Sequence, residues 1–183
     1  EQLEAIRHQD RFVPPTVRDH SLIVQQYLPG AVTSVQGHVY NGKVSVDLVY
    51  SIEADAYPYG AETGFVYPSD QDQLVRSQLP EQFEKFFKHV GLDNSPFMCD
   101  GIVHDGVYHV FDFGARLSTS AQMIMTHSGD GDYSAKLVER LIQGTPFEMN
   151  FQRAVVFRQL KLAPGEYQFE ITGNRSEEHT SEL

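Results

Sequence analysis

Two dipeptides do most to limit what this chain can fold into. Asn41–Gly42 separates AVTSVQGHVY (31–40) from KVSVDLVYSI (43–52), and Asp105–Gly106 lies inside FMCDGIVHDGVYHV (97–110). Asn-Gly and Asp-Gly form tight turns with both residues at positive φ, whose twist matches that of paired antiparallel strands. Val44, Val46 and Leu48 alternate with polar neighbours, as on a strand with one buried face. Two hairpins are therefore expected, the first preceded by the strand-length run SLIVQQYL (21–28), which makes it a meander.

The rest of the pattern is mixed. Leu74, Leu79, Phe83, Phe86, Phe87 and Val90 carry helical spacing over 71–90, and Gly91 is a natural stop. Pro80 interrupts that run, so two helices, or one beginning near Pro80, are expected. The phenylalanine stripe reads as core. SAKLVERLIQG (134–144) is a second helix, with Asp132 as its cap. Segment 153–171 reads as two strands joined at 163–165. Segments 53–64 and 118–133 read as loops, the latter with a short apolar patch, Met-Ile-Met. There are no internal repeats. The fold class is α+β with mostly antiparallel sheets.

The second hairpin carries an unusual charge pattern. Asp100 sits inside an apolar strand, and Asp112 closes the partner strand, followed at once by Gly-Ala-Arg (114–116). A buried carboxylate is costly unless it is paired or bound to metal. Two carboxylates on adjacent strands suit Mg²⁺, which takes one or two protein acids and leaves its other positions to water and phosphate. The register decides the matter. Directly opposed hairpin residues have a constant index sum and share a face. A two-residue Asp105–Gly106 turn would set Asp100 opposite Phe111. Sharing a cation with Asp112 requires a three-residue loop or a β-bulge, and one of these is expected. Spacing alone leaves a second reading open, in which both acids are solvent-facing strand residues.

Composition excludes several classes. The formal net charge of −11 opposes binding to nucleic acid or an anionic membrane. No apolar run approaches the ~20 residues of a membrane-spanning helix. Cys99 is the single cysteine, so no disulfide forms within the chain; it reads as a small buried residue, and a reducing, cytoplasmic setting is expected. HSGDGDYS (127–134) lacks the Gly-Lys-Ser/Thr ending of a phosphate-binding loop and reads as a loop leading to Asp132. His104 and His109 have no Cys or His neighbours at zinc-like spacing and read as strand-surface residues.

Taken in order, five segments resemble the C-terminal part of an ATP-grasp ligase. IVQQYLPG (23–30) resembles the family's hinge strand, and AVTSVQGHVYNGKV (31–44) the meander after it. ETGFVYPS (62–69) is similar to its Glu-x-Gly-His-φ-φ-Pro-Ser segment. PFMCDGIVHDGVYHVFDFGAR (96–116) resembles the metal-binding hairpin, where an acid and a Glu-x-Asn-x-Arg sequence hold Mg²⁺ and nucleotide phosphates. RAVVFRQLKLAPGEY (153–167) is similar to a strand pair that follows in amino-acid-ligase-like members. The resemblance implies ATP-grasp-like antiparallel sheets with packing helices, truncated at both ends. It divides the chain into the end of a preceding subdomain and linker (1–20), the C-terminal ATP-grasp subdomain (21–150) and the start of a C-terminal β extension (151–174). The polar, aperiodic RSEEHTSEL (175–183) resembles translated library adapter and reads as a non-native tail.

What the resemblance implies for function is specific. ATP phosphorylates a carboxylic acid, and an amine or thiol attacks the acyl phosphate. Asp100 and Asp112 match the metal acids, with Mg²⁺ expected and Mn²⁺ allowed. Arg116 matches the catalytic arginine that meets phosphate or the acyl group. Gln25 matches the hinge acid near the adenine amino group; Gln26 and Leu28 match positions whose backbone meets the adenine, with Tyr27 between them. Glu62, Ser118 and Thr119, with the loop to Ser120, lie where relatives contact substrate. Partners are small acids and amines, with no nucleic acid or membrane, and a homodimer is allowed. The chain departs from the pattern at four places. Asp112 is shorter than Glu, Gly114 replaces Asn, Gln25 replaces Glu, and Val32 stands near the place of a second hinge acid. The upstream Gly-rich loop and phosphate-binding lysines are not in these residues, so the isolated piece is expected to be inactive. These departures keep a second class open: a non-catalytic nucleotide- or ligand-binding descendant of the fold.

Overall fold

A computed structural model of the 183-residue chain describes residues 26–55, 61–129 and 131–159. Among them are six strands, β1 (Val32–Tyr40), β2 (Lys43–Ala54), β3 (Glu62–Tyr67), β4 (Ser95–His104), β5 (Val107–Gly114) and β6 (Val155–Arg158). Three helices accompany them: α1 (Asp72–Val90), α2 (Thr119–Ser128) and α3 (Tyr133–Gln143). The strands form one sheet in the order β5-β4-β1-β2-β3-β6, and every described pair is antiparallel. The fold is α+β, as the pattern implies.

Both turn dipeptides behave as their chemistry dictates. Asn41 and Gly42 have φ of 50° and 71°, and Asp105 and Gly106 have 50° and 73°. The two hairpins then join edge to edge, because β1 pairs with β4 along its length. β1 thereby becomes a central strand, and its residues 33–39 are all buried.

Helices cover both faces of the sheet. On one face, Val75, Leu79, Phe83 and Phe87 of α1 pack on Val35, Val39, Val49, Phe97, Cys99 and Tyr108. On the other, Ala121, Ile124 and Met125 of α2 and Tyr133 and Leu137 of α3 pack on Leu48, Tyr50 and Phe65. A bulge opposite Gln36 and Gly37 leaves Asp47 unpaired in β2. Its Oδ2 accepts from Tyr133 Oη at 2.7 Å and meets His38 Nδ1 at 2.8 Å, tying α3 to the sheet.

Five expectations change. A single helix, α1, runs through Pro80. Burial of its four apolar residues, each worth about 1.5–3 kcal/mol, outweighs an interior proline's cost of about 3 kcal/mol. Phe86 faces outward, 41 % exposed, so the phenylalanine stripe is only partly core. Residues 62–64 belong to β3 rather than to a loop, because they pair with β2 and β6. Residues 119–128 form α2: Ala121, Ile124, Met125 and Ser128 recur at helical spacing and are all buried. Gln26–Leu28 precede β1 outside any strand. The expectations for 1–25, the second strand of the terminal hairpin and the tail at 175–183 lie outside the described residues. No helix among the described residues is long and apolar enough to cross a membrane.

Candidate functional site

The β4–β5 hairpin places its two acids opposite each other. From the turn outward, His104 faces Val107, Val103 faces Tyr108, Ile102 faces His109 and Gly101 faces Val110. The register then slips by one, and Asp100 faces Asp112. The turn is the plain two-residue one, and a bulge at Phe111 supplies the correction. Of the two devices expected, the bulge is the one used. A Cβ on Gly101 would stand 2.6 Å from the His109 carbonyl oxygen and from the Tyr108 ring, so only glycine fits beside the bulge.

Opposed residues share a face, so Asp112, Asp100, Ser34 and Tyr50 form a row across β5, β4, β1 and β2. This row meets a cavity of about 210 Å³ lined by Tyr50, Ile52, Glu62, Met98, Asp100, Asp112, Arg116, Ser118, Thr119 and Ser120. The structure thus brings together Asp100, Asp112, Arg116, Glu62, Ser118 and Thr119 from three strands, a connection and a helix start.

The start of α2 is held in place by residues that sequence reasoning passed over. Gln36 is fully buried in β1. Its Nε2 donates to the Phe97 carbonyl at 2.7 Å, and its Oε1 accepts from the Ser118 backbone N–H at 2.8 Å. Tyr50 Oη and Ser118 Oγ are 3.1 Å apart, and Ser118 Oγ caps the Ala121 N–H at 3.4 Å. Ser118 is therefore an N-cap, and Thr119 and Ser120 are the first turn of a helix rather than a flexible loop. The positive end of α2 lines the same cavity as the acids. The sequence signal for Gln36 was a lone amide within a run of buried strand residues.

Charge in the cavity is poorly compensated. Asp100 Oδ1 and Ser34 Oγ are buried without a hydrogen-bond partner. Burial pushes the Asp100 carboxyl above the usual range. The Asp112 charge adds to that push, while the nearby Ser34 hydroxyl, which falls short of hydrogen-bond geometry, and Arg116 oppose it. Glu62 is raised by burial and by the Asp100 charge. Arg116 is exposed and donates from Nη1 to the Leu117 carbonyl at 3.0 Å. Cys99, behind the acids, is buried, and its thiol is pushed up to about 12, so it is inert.

Two facing carboxylates at a polar cavity are a place for a cation. No group of three or more His, Cys, Asp or Glu among the described residues has metal-binding geometry. Two carboxylates are nevertheless what Mg²⁺ takes when phosphate oxygens and water supply the rest. Asp100 and Asp112 fit that ion. Of the hinge candidates, Gln25 is outside the described residues; Gln26 and Tyr27 are exposed, Leu28 is half-buried, and none of these three lines the cavity.

No family model matches the sequence, and no curated protein matches it. Solved structures do match. The L-amino acid ligase of Bacillus licheniformis superposes with a TM-score of 0.62 at 16% identity, over 75% of this chain and 36% of that one. Phosphoribosylglycinamide synthetase of Anaerococcus prevotii gives 0.53 at 18% identity, over 64% and 30%. A protein of Archaeoglobus fulgidus assigned to the ATP-grasp superfamily gives 0.57 at 20% identity, over 78% and 43%. The fold is the ATP-grasp fold. The chain spans about a third of the length of the first two structures.

Proposed function

We propose that this chain is part of an ATP-dependent ligase that joins a small carboxylic acid to an amine or a thiol through an acyl phosphate. The observation that supports the reading best is the bulge at Phe111. It sets Asp100 and Asp112 face to face beside a polar cavity, in an ATP-grasp sheet. In this reading the two acids hold Mg²⁺, or Mn²⁺ in its place. The ion would neutralise nucleotide phosphates and orient phosphoryl transfer. Arg116 would stabilise charge on the transferring phosphoryl or acyl phosphate with its fork of donors. Glu62, Ser118 and Thr119 would position substrate, the last two at the positive end of α2. Residues 25–28 would meet the adenine. Catalysis of this kind is mainly positioning and charge stabilisation.

Gly114 favours a second reading. It leaves the site with two carboxylates and no amide ligand, which would suit a non-catalytic nucleotide-binding descendant. ADP release by the full parent reading frame separates the two. The ligase reading expects Mg²⁺-dependent release that needs both an acid and an amine or thiol, and that falls at least a hundredfold in Asp112→Ala. Nucleotide binding without turnover across acid, amine and thiol panels would leave only the binding reading.

A further inference from the structure

Ser34 is fully buried in the middle of β1, opposite Asp100 on one side and Tyr50 on the other. All three side chains therefore project to one face of the sheet. The Tyr50 hydroxyl is paired with Ser118, and the Gln36 amide bonds the Phe97 carbonyl and the Ser118 N–H. Ser34 Oγ is not satisfied, and neither is Asp100 Oδ1. A buried polar atom without a partner is disfavoured and calls for an explanation. Two such atoms on directly opposed residues call for a shared one.

The chemistry of the pair supplies it. A carboxylate has two oxygens, and a cation between Asp100 and Asp112 would engage the side open to the cavity. The buried oxygen then needs a donor, and the serine hydroxyl hydrogen turns freely to provide one. We propose that Ser34 is a positioning residue for the cation site: its hydroxyl donates to Asp100 Oδ1 and aims the carboxylate at a divalent ion shared with Asp112. This rests on the metal-binding reading above. Ser34 touches neither ion nor substrate and acts through Asp100. Donors behind metal ligands in this way typically change affinity by about 10–100-fold when removed.

Thr33 is the control. It is also fully buried with an orphaned hydroxyl, but its side chain projects to the opposite face, away from the acids. The test is Mn²⁺ binding to the 183-residue chain in the presence of ADP, followed by electron spin resonance of free Mn²⁺, with melting of the metal-free chain alongside. Ser34→Ala should weaken Mn²⁺ binding about tenfold while the metal-free chain stays folded at the temperature of the titration, so that the loss is one of affinity and not of folded protein. Thr33→Val should leave Mn²⁺ affinity within about twofold, the usual outcome for a residue with no link to the ligands. The inference is overturned, with the cation reading intact, if Asp112→Ala abolishes binding while Ser34→Ala binds like the wild type. It is also overturned if Ser34→Ala loses affinity only in proportion to lost folded protein. Wild-type binding that Asp112→Ala leaves unchanged would overturn both the cation reading and this inference.

Discussion

Asp100 carries a conflict between stability and function. Burial and the Asp112 charge raise its pKa, and burial with the Asp100 charge raises that of Glu62. A carboxyl whose native pKa lies above its unfolded value contributes stability that is fully present below about pH 4 and is lost as pH rises through the native value. Asp100→Asn should therefore raise the melting temperature of the metal-free chain at pH 7. The gain should vanish as pH falls below about 4, where wild-type Asp100 is itself protonated. The same variant should lose any melting shift caused by Mg²⁺. A metal-free melting temperature that drops at pH 7 would contradict the burial argument. Gly114 is the second test at this scale. It pairs with Met98, and a Cβ there would stand 3.4 Å from Met98 Sδ and from Arg116 Cγ, both movable side-chain atoms. Gly114→Asn should therefore fold, add an oxygen ligand and tighten Mn²⁺ binding roughly tenfold, read by the same resonance titration. Unchanged affinity would mean the amide does not reach the ion.

Elements show where local pattern and tertiary contact disagree. Pro80 cannot donate to the carbonyl four residues back, that of Arg76, yet α1 continues because its apolar stripe is buried on both sides of the proline. Pro80→Ala should stabilise the chain by roughly 1–2 kcal/mol, the helical gain less the proline's stiffening of the unfolded state. A denaturant midpoint that falls would show that the ring packs better than it bends. Gln36→Ala should cost about 2–3 kcal/mol, because it strands the Ser118 N–H and the Phe97 carbonyl together. Hydrogen exchange should then show the start of α2 opening before the rest. Neither element was fully legible in the sequence. The proline rule is local, and the burial that overrules it comes from β1, β2, β4 and β5. The spacing that makes α2 a helix was present in Ala121, Ile124, Met125 and Ser128, but small and polar neighbours masked it.

The whole molecule is an acidic chain of net charge −11. Self-repulsion of that size is screened by salt, so the melting temperature should rise between 0.05 and 0.5 M NaCl, about the range over which the Debye length shrinks several-fold. Millimolar Mg²⁺ should raise it further than NaCl at matched ionic strength, and Asp112→Ala should remove only the excess. Equal shifts for the two salts would speak against a bound ion. The sequence by itself determined the two hairpins, because their turns need residues that tolerate positive φ. It also determined that the acids could face each other only through a bulge or a longer loop, because a hairpin register is simple counting. Tertiary structure decided the choice between those devices, the joining of β1 to β4, the covering of both faces and the closing of the cavity. Gln36 and Phe97 are 61 residues apart, and Ser118 and Gln36 are 82 apart. Contacts at that separation depend on which surfaces meet, and neither partner's neighbours in the chain record them.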